Sequence, residues 1–377
     1  MLTIAAWCLL PVVLGSAVYC VLVLRAVHHY KGVRPPPLSK PIPLSVLKPL
    51  AGLDEDLDVN LRTFFEQDYA EFEILFAVRT ESDPAVEVVR KLQAEFPDIP
   101  SRLLLTGEPP YPNAKVWSLQ LMCAAAQHDI LVMSDSDVRV TPWMLSTIAA
   151  EFQDPALGVC TCPYRAVAGR GLWSTLETLA MNTEFLAGVL VARLLEGMKF
   201  ALGPTITARK QALEAIGGFP ALSRYLAEDF VMGNFAAEKG WGVLLSSYVV
   251  EHLNPSETFL QNASHRLRWN RSTRRSRPAG YVGQLFTNPL PLAVLLWIIR
   301  PAWWPLAVVT IGLRAVAAYA TAWTVLRDRT TLRLWSLIPL QDFLSLLFWI
   351  GGFFGNTIEW RGQRYRVLKD GTFDLTS

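Results

Sequence analysis

The sequence predicts an α/β domain built on a mixed, mostly parallel sheet, with transmembrane helices before and after it. Three observations carry that expectation. Between residues 44 and 250 short apolar runs alternate with amphipathic ones, the pattern of strands joined by crossover helices. Residues 2–24 carry no charge and are long enough to span a bilayer, and long apolar runs return after residue 285. At the centre, residues 129–140 read DILVMSDSDVRV. Four apolar residues, too few for a helix, lead into two aspartates, which marks a buried parallel strand with carboxylates at its C-terminal end. Composition agrees, with 51% hydrophobic and 18% charged residues in a chain of 377. The net charge of +2 gives no reason to expect a nucleic-acid partner.

Taken in order, residues 1–27 form an N-terminal transmembrane anchor. Arg25, His28, His29, Lys31 and Arg34 follow the apolar run instead of preceding it. That favours an uncleaved anchor over a signal peptide and puts the next domain in the cytoplasm, for a bacterial chain on the inner membrane. Residues 28–43 contain Pro35, Pro36, Pro37, Pro41 and Pro43, a stiff linker expected to lift the domain off the membrane. The domain itself occupies residues 44–284. Strands are expected at 44–47, 72–78, 102–105, 130–133, 158–162 and 243–250, and helices at 57–67, 85–96, 116–126 and 144–152. Residues 185–200 are apolar but interrupted by Arg193, Glu196 and Lys199, so an interfacial helix and a buried helix both fit.

Residues 285–358 supply C-terminal membrane segments: a short run at 290–299, then runs at 301–326 and 335–358 that are long enough to cross. In the preferred layout the last two cross and the first lies in the interface. The loop with Arg327, Arg329 and Arg333 then falls outside, against the positive-inside tendency, and the tail 359–377 returns to the cytoplasm. A crossing by the first run brings that loop inside but puts outside the more basic tail, with Arg361, Arg364, Arg366 and Lys369. The five cysteines (Cys8, Cys20, Cys123, Cys160, Cys162) show no metal-ligand spacing and read as core thiols.

Ligands of open α/β sheets sit outside the carboxyl ends of the strands, where Asp135 and Asp137 fall. Two carboxylates there suit a divalent cation, Mg²⁺ or Mn²⁺, shared with substrate phosphates. Asp54, Asp56 and Asp58 form two further Asp-x-Asp triplets, but they precede a helical pattern and read as N-terminal helix charges. Asp83, before Pro84, reads first as a helix cap, and the same side chain can at once contact a nucleotide base or ribose. Glu228 and Asp229 stand inside an apolar helical run, where a carboxylate is costly unless it is paired or functional. Of the two, Glu228 is the better candidate for a solvated face and Asp229 for a base. His265-Arg-Leu-Arg268-Trp269 opens a basic cluster running through Arg271, Arg274, Arg275 and Arg277. Arg268 could bind a diphosphate, with Trp269 at an acceptor site, while the distal arginines read as a face on anionic lipid.

The ordered set Ser45-Val-Leu-Lys48-Pro49-Leu50, Asp83-Pro84, Ser134-Asp135-Ser136-Asp137-Val-Arg139, Ala227-Glu-Asp229 and Arg268-Trp269 resembles the ceramide glucosyltransferase family, glycosyltransferase family 21. The closing Trp360-Arg361-Gly362-Gln-Arg364-Tyr365-Arg366 is similar as well. Bacterial hopanoid-associated glycosyltransferases share this layout. The resemblance implies a GT-A fold, a Rossmann-like mixed sheet, with a UDP-sugar donor, a divalent cation and inversion at the anomeric carbon. It implies that Asp83 contacts the nucleotide, that Asp135 and Asp137 hold the metal and diphosphate, and that Asp229 is the base. Arg268 and Trp269 match the end of the family's (Gln/Arg)-x-x-Arg-Trp motif, with His265 at its first position, as hopanoid-type sequences have. The implied partners are a UDP-sugar, a ceramide- or hopanoid-type lipid acceptor and membrane lipids. A processive polysaccharide synthase shares the sheet and carboxylates but needs more membrane helices than these C-terminal runs supply. The full carboxylate set argues against a non-catalytic membrane scaffold.

Overall fold

The computed structural model of the protein describes residues 2–360 and 363–375. Arg361 and Gly362 of the tail motif lie outside the described residues. Helix α1 (Leu2–Tyr30) leads into β1 (Leu44–Pro49), α2 (Leu57–Phe65), β2 (Phe72–Val78), α3 (Ala85–Glu95), β3 (Ser101–Leu105), α4 (Ala114–Ala125) and β4 (Ile130–Ser134). These strands and helices fall within a few residues of the expected ones. β1, β2 and β4 are buried almost throughout because helices cover both faces, which is why they read as unbroken apolar runs.

The chain continues through β5 (Val138–Arg139), α5 (Met144–Glu151), β6 (Leu157–Thr161), β7 (Tyr164–Ala168), α6 (Leu172–Ala180), α7 (Leu186–Glu196), β8 (Thr205–Arg209) and α8 (Lys210–Ala215). Next come α9 (Glu228–Glu238), β9 (Gly242–Leu245) and β10 (Val250–Asn254). The main sheet has the order β3-β2-β1-β4-β8-β6-β9, with β8 antiparallel to both its neighbours. The sequence hides β8: its Thr-Ile-Thr-Ala-Arg has too little apolar character, yet Thr205 and Thr207 are buried. The Thr205 hydroxyl is satisfied by the Ser134 hydroxyl at 3.0 Å.

The single strand expected at 243–250 is two strands in two sheets. β9 closes the main sheet, and β10 joins a second one, β5-β10-β7. The break has a cause at Ser246 and Ser247, whose hydroxyls and, for Ser247, the backbone N–H donate to the buried Glu151 carboxylate at 2.8–3.0 Å.

After β10 come α10 (Phe259–Ser276), opened by a capping box of Thr258 and Gln261, then α11 (Pro278–Gly283), α12 (Pro289–Ile299), α13 (Trp304–Tyr319), α14 (Arg329–Arg333) and α15 (Ile338–Gly352). The tail 359–377 is not a plain extension. β11 (Thr357–Trp360), β12 (Gln363–Val367) and β13 (Phe373–Leu375) form a small antiparallel sheet held on the domain, where Arg224 pairs with Asp374 at 2.8 Å.

Among the described residues, Ile4–Tyr30, Leu172–Glu196 and Pro301–Val325 are long and apolar enough to cross a membrane. Pro278–Thr287 and Pro289–Ile299 form a further pair bent by 60°. α1 lies against α12 and α13, with Trp7 and Trp303 in edge contact at 5.0 Å, and its other end touches the domain, where the Tyr30 hydroxyl donates to Ser246 O at 2.5 Å. The α12–α13 hairpin therefore turns at the far end of α1 and returns to the domain. There Arg165 donates to Leu326 O at 3.3 Å and Asn182 to Asp328 at 2.8 Å.

These contacts favour a layout different from the preferred one. The Arg327–Arg333 loop sits on the domain side, and 290–299 is one arm of the hairpin. The run 335–358 does not stand apart as an isolated helix: α15 packs along α10, α6 and α12, and its Asp342 pairs with Arg314 midway along α13 at 2.7 Å. Its Gln341, Asp342 and Ser345 explain this, because they are buried against Arg266 and Arg314 and could not face lipid at acceptable cost.

The segment 185–200 is buried along one side, at Leu186, Ala187, Val189, Leu190 and Val191, while Phe185 and Leu195 stay exposed. α7 continues α6 through a π-helical turn and packs on α1, with Glu196 paired to Arg277 at 2.6 Å. The linker 28–43 does not lift the domain. α1 runs on to Tyr30, and the prolines form a strap pinned by Ser39 N–H to Gln153 and Ile42 N–H to Tyr69, at 2.9 and 2.8 Å. Cys20, Cys160 and Cys162 are buried as expected, whereas Cys8 is exposed on α1.

Candidate active site

The site is built at the carboxyl edge of β4. Asp135 follows the strand directly; its N–H donates to Pro204 O at 3.0 Å, and its carbonyl accepts from the buried ammonium of Lys48 on β1. Lys48 also lies 3.9 Å from the Phe64 ring centre, and burial pulls its pKa down to about 7. The Asp135 carboxylate meets the Lys115 ammonium at 2.6 Å, and Lys115 reaches Glu228 at 3.5 Å. Lys115 stands in the first turn of α4. That helix is capped by Asn113, whose side chain accepts from Val116 N–H at 3.2 Å and donates to Tyr225 O and Glu228 at 3.0 and 3.3 Å. Burial alone would lower the Lys115 pKa, but Asp135 and Glu228 outweigh it and hold the ammonium above its ordinary value.

Glu228 is thus buried and paired, not on a solvated face. Its neighbour Asp229 differs. Lys115 forms its ion pairs with Asp135 and Glu228 and not with Asp229, and burial together with the Glu228 charge pushes the Asp229 carboxyl up to about 7. Asp135, Glu228, Asp229 and Lys115 line one small cavity, with Gly203 in its wall. A Cβ at Gly203 would stand 2.9 Å from the Asp229 carboxylate, and one at Gly233 only 2.5 Å from the backbone at Ala201. Both glycines let α9 approach the 200–203 segment closely enough to bring Asp229 beside Asp135.

Asp137 faces a residue the sequence did not single out. His252 on β10 places Nε2 3.3 Å from one Asp137 oxygen. The other Asp137 oxygen and His252 Nδ1 are buried with no hydrogen-bond partner among the described residues. Burial raises the Asp137 pKa, yet the charge and hydrogen bond of His252, with Lys48 and Lys115 behind, hold it below the ordinary carboxylate value. Asp137 thus offers an orphaned carboxylate oxygen beside the His252 imidazole, an oxygen-and-nitrogen pair suited to a divalent cation, while among the described residues three such donors within 4.8 Å of one another occur at Glu177, Glu257 and His265.

The loop after β1 joins this edge to Asp83. Gly52 N–H donates to both Asp83 oxygens at 3.1 Å, and Ala85 N–H to one at 3.0 Å, so the side chain serves the start of α3 and orders the loop together. Further along, Asp54 accepts from the Ser136 hydroxyl, and Asp56 pairs with Arg139 at 2.6 Å. These aspartates stand at the start of α2 as expected, with Asp58 in its first turn, and Asp54 and Asp56 in addition brace the Asp135–Asp137 turn. Asp56, at φ 58°, makes no cap hydrogen bond.

On the other side of His252, Tyr164 lies at 5.4 Å between ring centres. Beyond it, Glu177, Glu257 and His265 bring ligand atoms within 4.8 Å of one another, and Asn262 donates to Glu177. His265 sits 3.1 Å from Glu177 and packs edge-on against Trp269 at 4.6 Å, while Arg268 is half-buried on the same helix and acts electrostatically on Glu257. The distal arginines do something other than expected. Arg271 donates to Phe354 O and Thr357 O, and Arg274 to Phe353 O, Gly355 O and the Asn356 side chain. They satisfy the orphan carbonyls past the end of α15, where the helix dipole also favours cations, so they are not free to rest on lipid.

A seven-stranded sheet with one reversed strand, carboxylates at the edge of its central strand and a further acid on the helix packed beside them define a GT-A glycosyltransferase fold. The solved mannosyltransferase PcManGT of Pyrobaculum calidifontis, in complex with GDP-Man and Mn²⁺, has the same fold, with a TM-score of 0.56 at 18% identity over 93% of this chain and 99% of that one. The family model described as Glycosyl transferase family 21 matches residues 8–373, and the chain belongs to that family. Ceramide glucosyltransferase 1 of Caenorhabditis elegans is 30% identical over 64% of this chain and 51% of its own length. The ceramide glucosyltransferase of Komagataella phaffii is 34% identical over 27% of this chain and 21% of its own. The chain thus spans about half the length of the first of these relatives.

Proposed function

We propose that this chain is a membrane-bound inverting glycosyltransferase. It moves a hexose of glucose or N-acetylglucosamine type from a UDP-sugar to a lipid hydroxyl, with ceramide as acceptor and a hopanoid polyol as the alternative. The observation that carries the reading is the single cavity shared by Asp135 and Asp229, in which Lys115 pairs with the first and leaves the second with raised proton affinity. Asp83 and the 50–56 loop bind the nucleoside, and Arg268 binds the diphosphate. Asp135, Asp137 and His252 would hold a divalent cation, which when bound supplies Lewis-acid neutralisation of the leaving diphosphate.

Asp229 accepts the proton of the acceptor hydroxyl as that oxygen forms its bond to the anomeric carbon. The bond from that carbon to the UDP oxygen breaks on the opposite face, so one displacement inverts the centre. Tyr164, Glu177, His265 and Trp269 form the wall on the acceptor side, continuous with α6 and α10 against α15. The domain is placed on the cytoplasmic face, a reading supported by Lys31, Arg34 and Arg327 all lying at the domain end of their helices.

The test is a product screen. Purified protein is offered UDP-glucose or UDP-N-acetylglucosamine with ceramide or a hopanoid polyol, and products are read by mass spectrometry. A glycosylated lipid that Asp229→Asn fails to make supports the assignment. Nucleotide-sugar turnover with no lipid product under any pairing rejects the acceptor class.

A further inference from the structure

Away from the active site, a cavity of about 160 Å³ opens where the end of α1, the end of the α12–α13 hairpin and the turn between β9 and β10 meet. That is far above the roughly 15 Å³ that admits a single water. Lys31 and Arg34 from the end of α1 and Arg327 from the end of the hairpin line it together, with Tyr30, Ser247 and Thr324 adding polar groups. None of its lining residues is acidic, and among the described residues these three cations form no ion pair. Nearby carboxylates are engaged elsewhere: Glu151 with Ser246 and Ser247, Glu251 with Arg165, and Asp328 with Asn182 and Thr331. Arg34 turns one guanidinium nitrogen to Lys31 O and Val33 O at 2.7 and 2.8 Å, which fixes the fork. Arg327 is held in the left-handed region at φ 55°, with its guanidinium over the Trp323 ring at 5.8 Å. Only one other non-glycine described residue takes a positive φ, and such a conformation is costly without glycine.

We propose that this cavity binds the phosphate headgroup of an anionic glycerophospholipid, tying α1, α13 and the domain together at the membrane surface. Unpaired cations converging on one cavity repel one another until an anion joins them, and guanidinium forks match phosphate oxygens two at a time. Basic pockets between membrane helices at the cytoplasmic face are recognised headgroup sites. Val33, Val249 and Val325 line the cavity beside the cations, an amphipathic surface suited to a headgroup with its glycerol more than to a bare ion. The choice of a lipid rests on the reading that α1 and α13 lie in the bilayer.

The experiment uses the full-length protein in neutral detergent, with thermal unfolding and binding titrations as readouts. Dihexanoyl-phosphatidylglycerol should raise Tm by several degrees, while dihexanoyl-phosphatidylcholine and inorganic phosphate at equal concentration should not. Lys31→Gln with Arg327→Gly should weaken phosphatidylglycerol binding roughly 30-fold, from about 1 kcal/mol per basic residue. Glycine suits the Arg327 backbone, so that variant keeps its fold. Arg329→Gln with Arg333→Gln, outside the cavity, should bind as the parent does. Equal loss in that control pair would reduce the effect to diffuse surface charge and overturn the proposal. So would an equal shift with inorganic phosphate, or no shift with phosphatidylglycerol. Carbonate extraction of the same membranes reads the bilayer placement separately, so its failure is distinguishable from failure of the site.

Discussion

Asp229 and Glu228 are adjacent acids in one helical turn, yet Lys115 neutralises Glu228 and leaves Asp229 to burial. Asp229→Asn should lower transfer by about 10²–10⁴-fold, the usual range for a lost general base, with UDP-sugar affinity changing far less. A raised carboxyl pKa means the folded state keeps a proton that the unfolded state has lost, so stability falls as pH rises from the ordinary Asp value towards about 7. The same substitution should therefore raise stability above pH 7 by about 1–3 kcal/mol, measured as an increase in Tm. Transfer by the parent enzyme should rise through pH 7 as Asp229 ionises. If Glu228→Gln is the dead variant and Asp229→Asn turns over normally, the base has been assigned one residue out. For the cation, Asp137→Asn and His252→Ala should each raise the Mn²⁺ concentration needed for half-maximal activity, and chelator should abolish transfer by the parent. Activity that persists in chelator would remove the metal from the scheme. Asp135, Asp137 and Asp229 were legible as acids in apolar surroundings. His252 was not, because its strand alternates polar residues and its partner Asp137 lies 115 positions earlier, a pairing that only sheet topology reveals.

At the scale of elements, the strands and helices up to β4 could be read from periodicity because helices cover both faces of the sheet and the apolar runs of β1, β2 and β4 are buried strands, with only the edge strand β3 partly exposed. Reading failed where polar side chains satisfy one another out of water. β8 hides behind its threonines, β9 and β10 were fused across Ser246 and Ser247, and the apolar run of α15 hides the buried Gln341 and Asp342 that tie it to its neighbours. Glycine contacts were equally invisible, since nothing local marks Gly203 as the point where α9 closes on the sheet. Gly203→Ala should push the Asp229 carboxylate out of place, because the added methyl would lie 2.9 Å from it. We expect kcat to fall about 10–100-fold, the scale of an ångström-level misplacement, with donor KM and the far-ultraviolet circular dichroism spectrum close to parent values. Parental kcat in Gly203→Ala would show that the Asp229 position tolerates displacement, and so would count against it as base.

For the molecule as a whole, the decisive question is which side of the membrane each connection occupies. Sequence charge counting left a conflict, with either the 327–333 loop or the tail on the wrong side, because it treated each apolar run as an independent crossing. Contacts remove the conflict. The hairpin of α12 and α13 returns the loop to Arg165 and Asn182, so the basic end of α1 and the 327–333 loop meet at the domain, where Arg224 and Asp374 also hold the tail sheet. Two polar anchors make the arrangement costly to invert: the buried Arg314–Asp342 pair at 2.7 Å, and Arg314 donating to Thr183 O at 3.0 Å. Single cysteines introduced into a cysteine-free background at Arg329, Glu81 and Trp303 should separate the two layouts in sealed right-side-out vesicles. An impermeant maleimide added outside should label Trp303→Cys at the hairpin turn, and should reach Arg329→Cys and Glu81→Cys only after the vesicles are permeabilised. Labelling of Arg329→Cys from outside while Glu81→Cys stays protected would restore the two-span layout. It would also separate Arg327 from Lys31, dissolving the shared cationic cavity along with the packing of the hairpin on the domain.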